Sequence, residues 1–162
     1  MHEKLVQFVI NQKPYKVEIE PRKLLSDVIR EDCALTGTHV GCEHGVCGAC
    51  TILIDGQLAR SCLVYGVQMH GKVIETIESI GSVGHLSKFQ QAMHEEHGLQ
   101  CGFCTAGIVM TIEGLLRENP QPSDLEITDA LSGNLCRCTG YQNILRAIKK
   151  TILPEVKKDL DD

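Results

Sequence analysis

The 162-residue chain has no tryptophan, and its three phenylalanines and three tyrosines leave it with only 4% aromatic residues. The apolar material is therefore mostly Ile, Leu and Val, and something besides aromatic packing must help to hold the fold. No apolar run approaches the roughly 20 residues of a membrane-spanning helix, so we expect no membrane insertion. Basic stretches interleaved with aromatics are also missing and the net charge is -5, so we expect no nucleic-acid partner.

The first residues lack the apolar core of a signal peptide, because Met1–Lys4 leads straight into a strand-like segment. This predicts a cytoplasmic location. Structural disulfides are rare in a reducing compartment, so the nine cysteines need another explanation. Metal ligation and redox chemistry are the usual ones, and the odd number indicates eight functional cysteines and one extra.

Sequence periodicity predicts a β-rich first half that contains two hairpins, a short amphipathic helix and a closing strand. These elements are strands over 5–10 and 15–19, a helix over 23–31, strands over 51–54 and 57–60, and a strand over 73–77. Beyond the glycines at 81 and 84 only helical patterns remain. They predict helices over 86–97 and 105–119, one from a capping box at Ser123 and Glu126 to Gly133, and one over 142–152.

The predicted fold class is therefore α+β. We expect a domain over 1–77, a connector over 78–84, a helical domain over 85–154 and a frayed, charged tail over 155–162.

The first group of cysteines has the spacing C-x4-C-x2-C at Cys42, Cys47 and Cys50, and Cys62 follows the second predicted hairpin. This is the ligand spacing of a plant-type 2Fe-2S ferredoxin. The three glycines of this segment would let backbone N–H groups come close to a bulky anionic cluster. A zinc site is the alternative, but zinc ribbons usually present two C-x2-C pairs and this arrangement has one.

The second group consists of a C-x2-C pair, Cys101 and Cys104, and a C-x-C pair, Cys136 and Cys138. Each pair precedes a predicted helix, and helix N-termini favour a negatively charged cluster. Because a C-x-C pair is cramped for zinc and strained for a disulfide, a second 2Fe-2S cluster is the favoured interpretation. The ninth cysteine, Cys33, is expected to be a small buried core residue.

Histidines near these motifs raise the question of a Rieske site, in which two His replace two Cys on one iron. Eight cysteines already complete two clusters, so we expect no ligand among the histidines at 39, 44, 94 and 97. Arg137, between two predicted ligands, would either offset cluster charge or face a partner.

Three longer motifs contain the cysteines, and they read GCEHGVCGACT at 41–51, QCGFCT at 100–105 and GNLCRCTGY at 133–141. In this order they resemble the small iron–sulfur subunit of the xanthine oxidase family of molybdenum hydroxylases, over the chain up to about residue 150. The resemblance implies a β-grasp ferredoxin-like domain followed by a four-helix-bundle domain that carries the second cluster. Ala106 stands where many relatives have Pro, but that position opens a helix and puts no ligand in doubt.

The resemblance also implies cofactors and partners. A large subunit would hold a molybdopterin, in bacteria usually the cytosine dinucleotide, and a medium subunit would hold FAD, with the whole forming a dimer of heterotrimers. Gln100 would hydrogen-bond the pterin, and Cys138 would link its cluster to the pterin amino group. The chain would then be the electron-transfer subunit, without catalytic residues, that relays electrons from molybdenum through two 2Fe-2S clusters to FAD.

Two other functions stay open at this point, a free-standing ferredoxin-type electron carrier and a zinc-organised interaction module. Gln100 and the C-x-C motif argue against the first. Aldehydes, aromatic N-heterocycles, carbon monoxide and aromatic thioesters are all substrates of similar complexes, whose substrate pocket would lie in another subunit.

Overall fold

The computed structural model describes residues 3–152, which form an α+β protein as predicted. The predicted tail over 155–162 lies outside these residues. A five-stranded sheet has the order β2-β1-β5-β3-β4. Its strands are β1 (Lys4–Ile10), β2 (Lys13–Ile19), β3 (Thr51–Ile54), β4 (Gln57–Arg60) and β5 (Val73–Glu75).

Two antiparallel hairpins and a central strand make up the sheet. The first hairpin turns at Asn11 and Gln12, whose φ angles of 50° and 66° are the left-handed geometry that two-residue hairpin turns require. The second joins β3 to β4 across Asp55 and Gly56, with φ angles of 49° and 81°. β5 lies between the hairpins, parallel to β1 and antiparallel to β3, so the last strand of this half joins them into one sheet.

The helix predicted over 23–31 is shorter and less regular than expected. The structure has α1 (Leu25–Asp27), continued by a wider π-type turn over Val28–Asp32 that closes with a hydrogen bond from the Cys33 N–H to the Val28 carbonyl. Cys33 is 7% exposed in the core beneath the sheet, which confirms its predicted burial. Burial, together with the charge of Asp32, raises the pKa of the Cys33 thiol to about 11 and keeps it neutral.

The helical half contains α2 (Lys88–Glu95), α3 (Thr105–Glu118), α4 (Asp124–Ser132) and α5 (Gln142–Ile152). All four contribute side chains to one buried apolar cluster. The predicted capping box at Ser123 and Glu126 begins α4, and a second one, formed by Ser87 and Gln90, begins α2. No helix within residues 3–152 has the length and apolar character needed to cross a membrane.

Helix α3 joins the two halves, because it packs on β3 and β4 as well as on α4. Near its C-terminal end the Arg117 guanidinium donates to both carboxylate oxygens of Glu75 on β5, at 2.7 and 2.8 Å. At its N-terminal end it begins next to the cysteine loops, so the helix fixes both loops to the sheet.

Candidate metal centres

The first cysteine group lies in the irregular loop between α1 and β3, with its fourth member just after β4. Cys50 and Cys62 are 1% and 3% exposed, whereas Cys42 and Cys47 are half-buried. The Cys47 amide donates to the sulfur of Cys42 at 3.4 Å. The structure therefore brings the four predicted ligands into one loop region with a buried side and a half-buried side.

Backbone amides prepare one side of this group for negative charge. The amides of Cys47, His44 and Val46 point at the Cys42 sulfur and lower the pKa of its thiol to about 6. On the other side, burial and a hydrogen bond with Cys50 raise the pKa of Cys62 to about 11. The Cys62 thiol therefore keeps a proton that a bound metal would displace.

The second group is assembled from the segment before α3 and the segment after α4. The thiol of Cys138 donates to the sulfur of Cys101 at 3.6 Å, and both residues are exposed. Burial, together with a hydrogen bond to Cys136, raises the pKa of Cys104 to about 12. Burial opposes ionisation of Cys136 too, but hydrogen bonds, led by that from the Thr139 hydroxyl 3.0 Å away, lower its pKa overall.

Each pair precedes a helix, as the sequence predicts, but the two pairs lie at different distances from their helices. Cys104 is the residue before α3, but α5 begins at Gln142, so 139–141 separate it from the C-x-C pair. The groups that face Cys136 therefore come from a turn, which contains left-handed residues at Gly140 and Tyr141, and not from a helix N-terminus.

The Tyr141 side chain reaches back to support this turn. Its hydroxyl accepts the Cys136 amide at 2.8 Å and donates to the Asn134 carbonyl at 3.0 Å. At the surface, the Gln100 side-chain amide donates to the Cys138 carbonyl at 3.1 Å. Gln100 and Cys138, the two residues expected to contact a pterin, thus lie side by side and exposed.

Direct contacts join the two cysteine groups, and sequence reasoning missed them. The Leu135 amide donates to the Cys47 carbonyl at 2.9 Å, and the Asn134 side chain donates to the Gly48 carbonyl at 3.1 Å. A third contact joins His39, which precedes the first group, to Phe103 of the second group, and their stacked rings have centroids 4.9 Å apart. No sequence signal pairs these positions, because each contact joins residues more than 60 apart in the chain.

The histidines have roles other than facing the sulfurs. Nδ1 of His39 lies 2.8 Å from the Phe103 carbonyl, and Nδ1 of His44 contacts the Cys42 carbonyl. His94 in the last turn of α2 and His97 just beyond the helix are both exposed.

The positions of the sulfurs fit the two irons of a 2Fe-2S cluster. Within residues 3–152, no three His, Cys, Asp or Glu side chains are placed to share one metal ion. Zinc requires four ligands around one point, whereas a 2Fe-2S cluster takes two protein ligands at each of two irons. The sulfurs are arranged in contacting pairs, which are Cys42 with Cys47, Cys50 with Cys62, Cys101 with Cys138 and Cys104 with Cys136.

Known proteins share this architecture. The family model of the 2Fe-2S iron-sulfur cluster binding domain matches residues 8–70, and that of the 2Fe-2S binding domain matches residues 76–149. The chain is 51% identical to caffeine dehydrogenase subunit gamma of Pseudomonas sp. strain CBB1, over 92% of this chain and 91% of that one. It is 46% identical to a subunit of the probable xanthine dehydrogenase of Bacillus subtilis strain 168, over 87% and 81%. The chain belongs to the small iron–sulfur subunits of the xanthine oxidase family.

A solved member of this family has the same fold. The crystal structure of quinoline 2-oxidoreductase from Pseudomonas putida 86 superposes with a TM-score of 0.89 and 47% identity, over 94% of this chain and 95% of the matched chain. The family predicted from the three cysteine motifs is confirmed. As a member of it, this small subunit is part of an oxidoreductase and has a role in electron transfer.

Proposed function

We propose that this small subunit carries two 2Fe-2S clusters and relays electrons from a molybdenum-pterin centre to FAD on partner subunits. The first cluster is held by Cys42, Cys47, Cys50 and Cys62, and the second by Cys101, Cys104, Cys136 and Cys138. When bound, such clusters take up and release single electrons. The observation that carries the proposal is that the eight thiols lie in two groups of loops, with neighbouring sulfurs within each group, and that the two groups touch through the Leu135–Cys47 hydrogen bond.

The chain's own residues hold the clusters and tune them. Amides directed at Cys42 stabilise negative charge on its sulfur, and the Thr139 hydroxyl does the same for Cys136. Hydrogen bonds to sulfur and the burial of the cluster both set a reduction potential. The buried pair of Cys50 and Cys62 and the exposed pair of Cys101 and Cys138 therefore give the two clusters different surroundings.

Exposure also supports an assignment of the partners. Gln100 and Cys138 lie together at the surface, which suits contact with the pterin of the large subunit. The half-buried side of the first group, beside exposed Val46 and Leu63, would face the medium, FAD-carrying subunit. We propose a dimer of such heterotrimers, in which this chain consists of a β-grasp domain over 1–77, a connector over 78–84 and a four-helix bundle over 85–154.

The three relatives reported above, which are 46–51% identical to this chain, favour one substrate class for the complex. The three relatives are named for caffeine, xanthine and quinoline, which are all aromatic N-heterocycles. We propose that the complex hydroxylates a compound of this class. Turnover of a panel containing purines, quinoline and aldehydes by the purified complex tests this, and oxidation of the aldehydes alone would contradict it.

Purification of the tagged chain together with its native partners tests the main proposal. We expect a large complex that contains molybdenum, flavin and iron, with visible absorption that bleaches on reduction. A brown monomer without molybdenum or flavin would instead indicate a free-standing ferredoxin. A colourless preparation with bound zinc would indicate an interaction module, and either result would overturn the proposal.

A further inference from the structure

One buried side chain connects the two groups of cysteines. Asn134 is 1% exposed and lies two residues before Cys136. Its Nδ2 donates to the carbonyl of Gly48, 3.1 Å away and 86 residues distant in the chain, next to Cys47. Its Oδ1 accepts from the hydroxyl of Thr111 on α3 at 2.9 Å, and that hydroxyl shares its proton with the Gly107 carbonyl, also 2.9 Å away. Both ends of the carboxamide are therefore bonded, one to each half of the protein.

The surroundings show that this link is tight. A Cβ at Gly48 would overlap the Gly133 carbonyl oxygen and come within 2.6 Å of Asn134 Nδ2. A Cβ at Gly107 of α3 would likewise overlap the Gly48 carbonyl oxygen. The loop of the first group thus lies against α3 and against the loop of the second group, with Asn134 filling the remaining space.

The hydrogen bond between Leu135 and Cys47, beside Asn134, links the two cysteine groups. Within residues 3–152 it belongs to the shortest route of covalent and hydrogen bonds from one group to the other. From Cys47 this route passes through the residue's own carbonyl, across the 2.9 Å hydrogen bond to the Leu135 amide, and along the backbone to Cys136. Electronic coupling is stronger through covalent and hydrogen bonds than across an open gap. The hydrogen bond between Cys47 and Leu135 is therefore the step of the route most sensitive to displacement.

We infer that Asn134 is a positioning residue that holds Gly48 against the Leu135 backbone, so that the Cys47–Leu135 hydrogen bond forms and sets the electronic coupling between the two clusters. This inference rests on the proposed function, since it requires both clusters. Burying a carboxamide is costly unless both of its ends are paired, and an apolar residue would fill the space without directing the loop. The side-chain carboxamide of Asn134 therefore fixes the position of one loop relative to the other.

Two matched variants separate positioning from stability in the purified, cluster-loaded complex. Asn134→Asp keeps the size and the acceptor toward Thr111 but loses the donor to Gly48, whose carbonyl oxygen would then face a carboxylate. Thr111→Val removes the hydroxyl on the opposite side of Asn134 and leaves the bond to Gly48 in place. Both variants lose a buried hydrogen bond, and only the first loosens the contact between the loops.

The readouts are the magnetic splitting between the two reduced clusters in electron paramagnetic resonance spectra, and hydrogen exchange of the Leu135 amide measured by mass spectrometry. We expect the wild type to show the splitting and a protected amide. Asn134→Asp should decrease the splitting, exchange the Leu135 amide faster and transfer electrons between clusters severalfold more slowly. Thr111→Val should resemble the wild type in all three measurements, even where it unfolds at a lower temperature.

The inference is overturned if Asn134→Asp keeps both the splitting and the protected amide while losing as much stability as Thr111→Val. If the Asn134→Asp complex does not assemble, hydrogen exchange in the wild-type complex still tests the inference. A Leu135 amide that exchanges rapidly there would contradict the proposed hydrogen bond to Cys47. A wild-type complex with a single type of cluster would instead overturn the proposed function. The two failures are therefore distinguishable.

Discussion

Gly48→Ala tests the packing of the first cysteine loop against the second. Gly48 has φ 72°, a left-handed conformation that costs a residue with a side chain about 1–2 kcal/mol. The added methyl group would also meet Gly133 and Asn134, and would force apart the hydrogen bond between Asn134 and the Gly48 carbonyl. A buried polar group left without its partner costs about 1–3 kcal/mol more.

Gly56→Ala is the matched control, because Gly56 has a similar φ of 81° but nothing within 4 Å of an added Cβ. The Gly56→Ala variant should therefore lose only the stability that the left-handed backbone conformation costs a residue with a side chain. A cost of about 1–3 kcal/mol would lower a reversible unfolding midpoint by about 2–12 °C, so the apparent midpoint of thermal cluster loss for Gly48→Ala should lie clearly below that of Gly56→Ala. Visible absorbance followed at one heating rate measures this, since cluster loss is irreversible and its midpoint depends on the rate. Equal midpoints for the two variants would refute the close contact between the loops.

Three further predictions concern single side chains. Cys101→Ser should remove the paramagnetic signal of the second cluster alone, whereas Cys33→Ser should leave both signals, because Cys33 lies in the core beneath the sheet. Ser123→Ala removes the cap of α4 and should cost about 1 kcal/mol, seen as a lower unfolding midpoint. Arg117→Gln should cost at most about 1 kcal/mol for this partly exposed pair, and less in high salt. Arg117 lowers the pKa of Glu75 below its ordinary value of 4.5. The ion pair therefore contributes its full stability above pH 4.5, and this stability is lost as the pH falls through the lowered pKa. Unfolding midpoints of the wild type and Arg117→Gln at several pH values measure this loss.

Local patterns in the sequence predict much of the fold. The hairpin at Asn11 and Gln12 follows from turn composition between alternating segments, and the start of α4 follows from Ser123 and Glu126. The α2 cap at Ser87 has a similar Ser-x-x-Gln signal, which the helix predicted over 86–97 did not use. The π-type turn after α1 has no comparable signal, because its apolar residues have the spacing of an ordinary amphipathic helix.

The contacts between the two cysteine groups show what the sequence alone does not predict. Spacing identifies which cysteines belong to each group, because ligands within a loop are close in the chain. It does not predict that Cys101 contacts Cys138 or that Leu135 bonds to Cys47, since both depend on how α3 places one half against the other. Asn134 looks from sequence like an ordinary residue of a turn after a helix, and only its burial between the two halves distinguishes it.

The most direct test of the central claim is the iron content of the reduced native complex together with its integrated paramagnetic signal. Two 2Fe-2S clusters on this subunit predict about four irons and about two unpaired spins per copy of the chain. About half of either value, or zinc in place of iron, would contradict the assignment of the eight cysteines to two clusters.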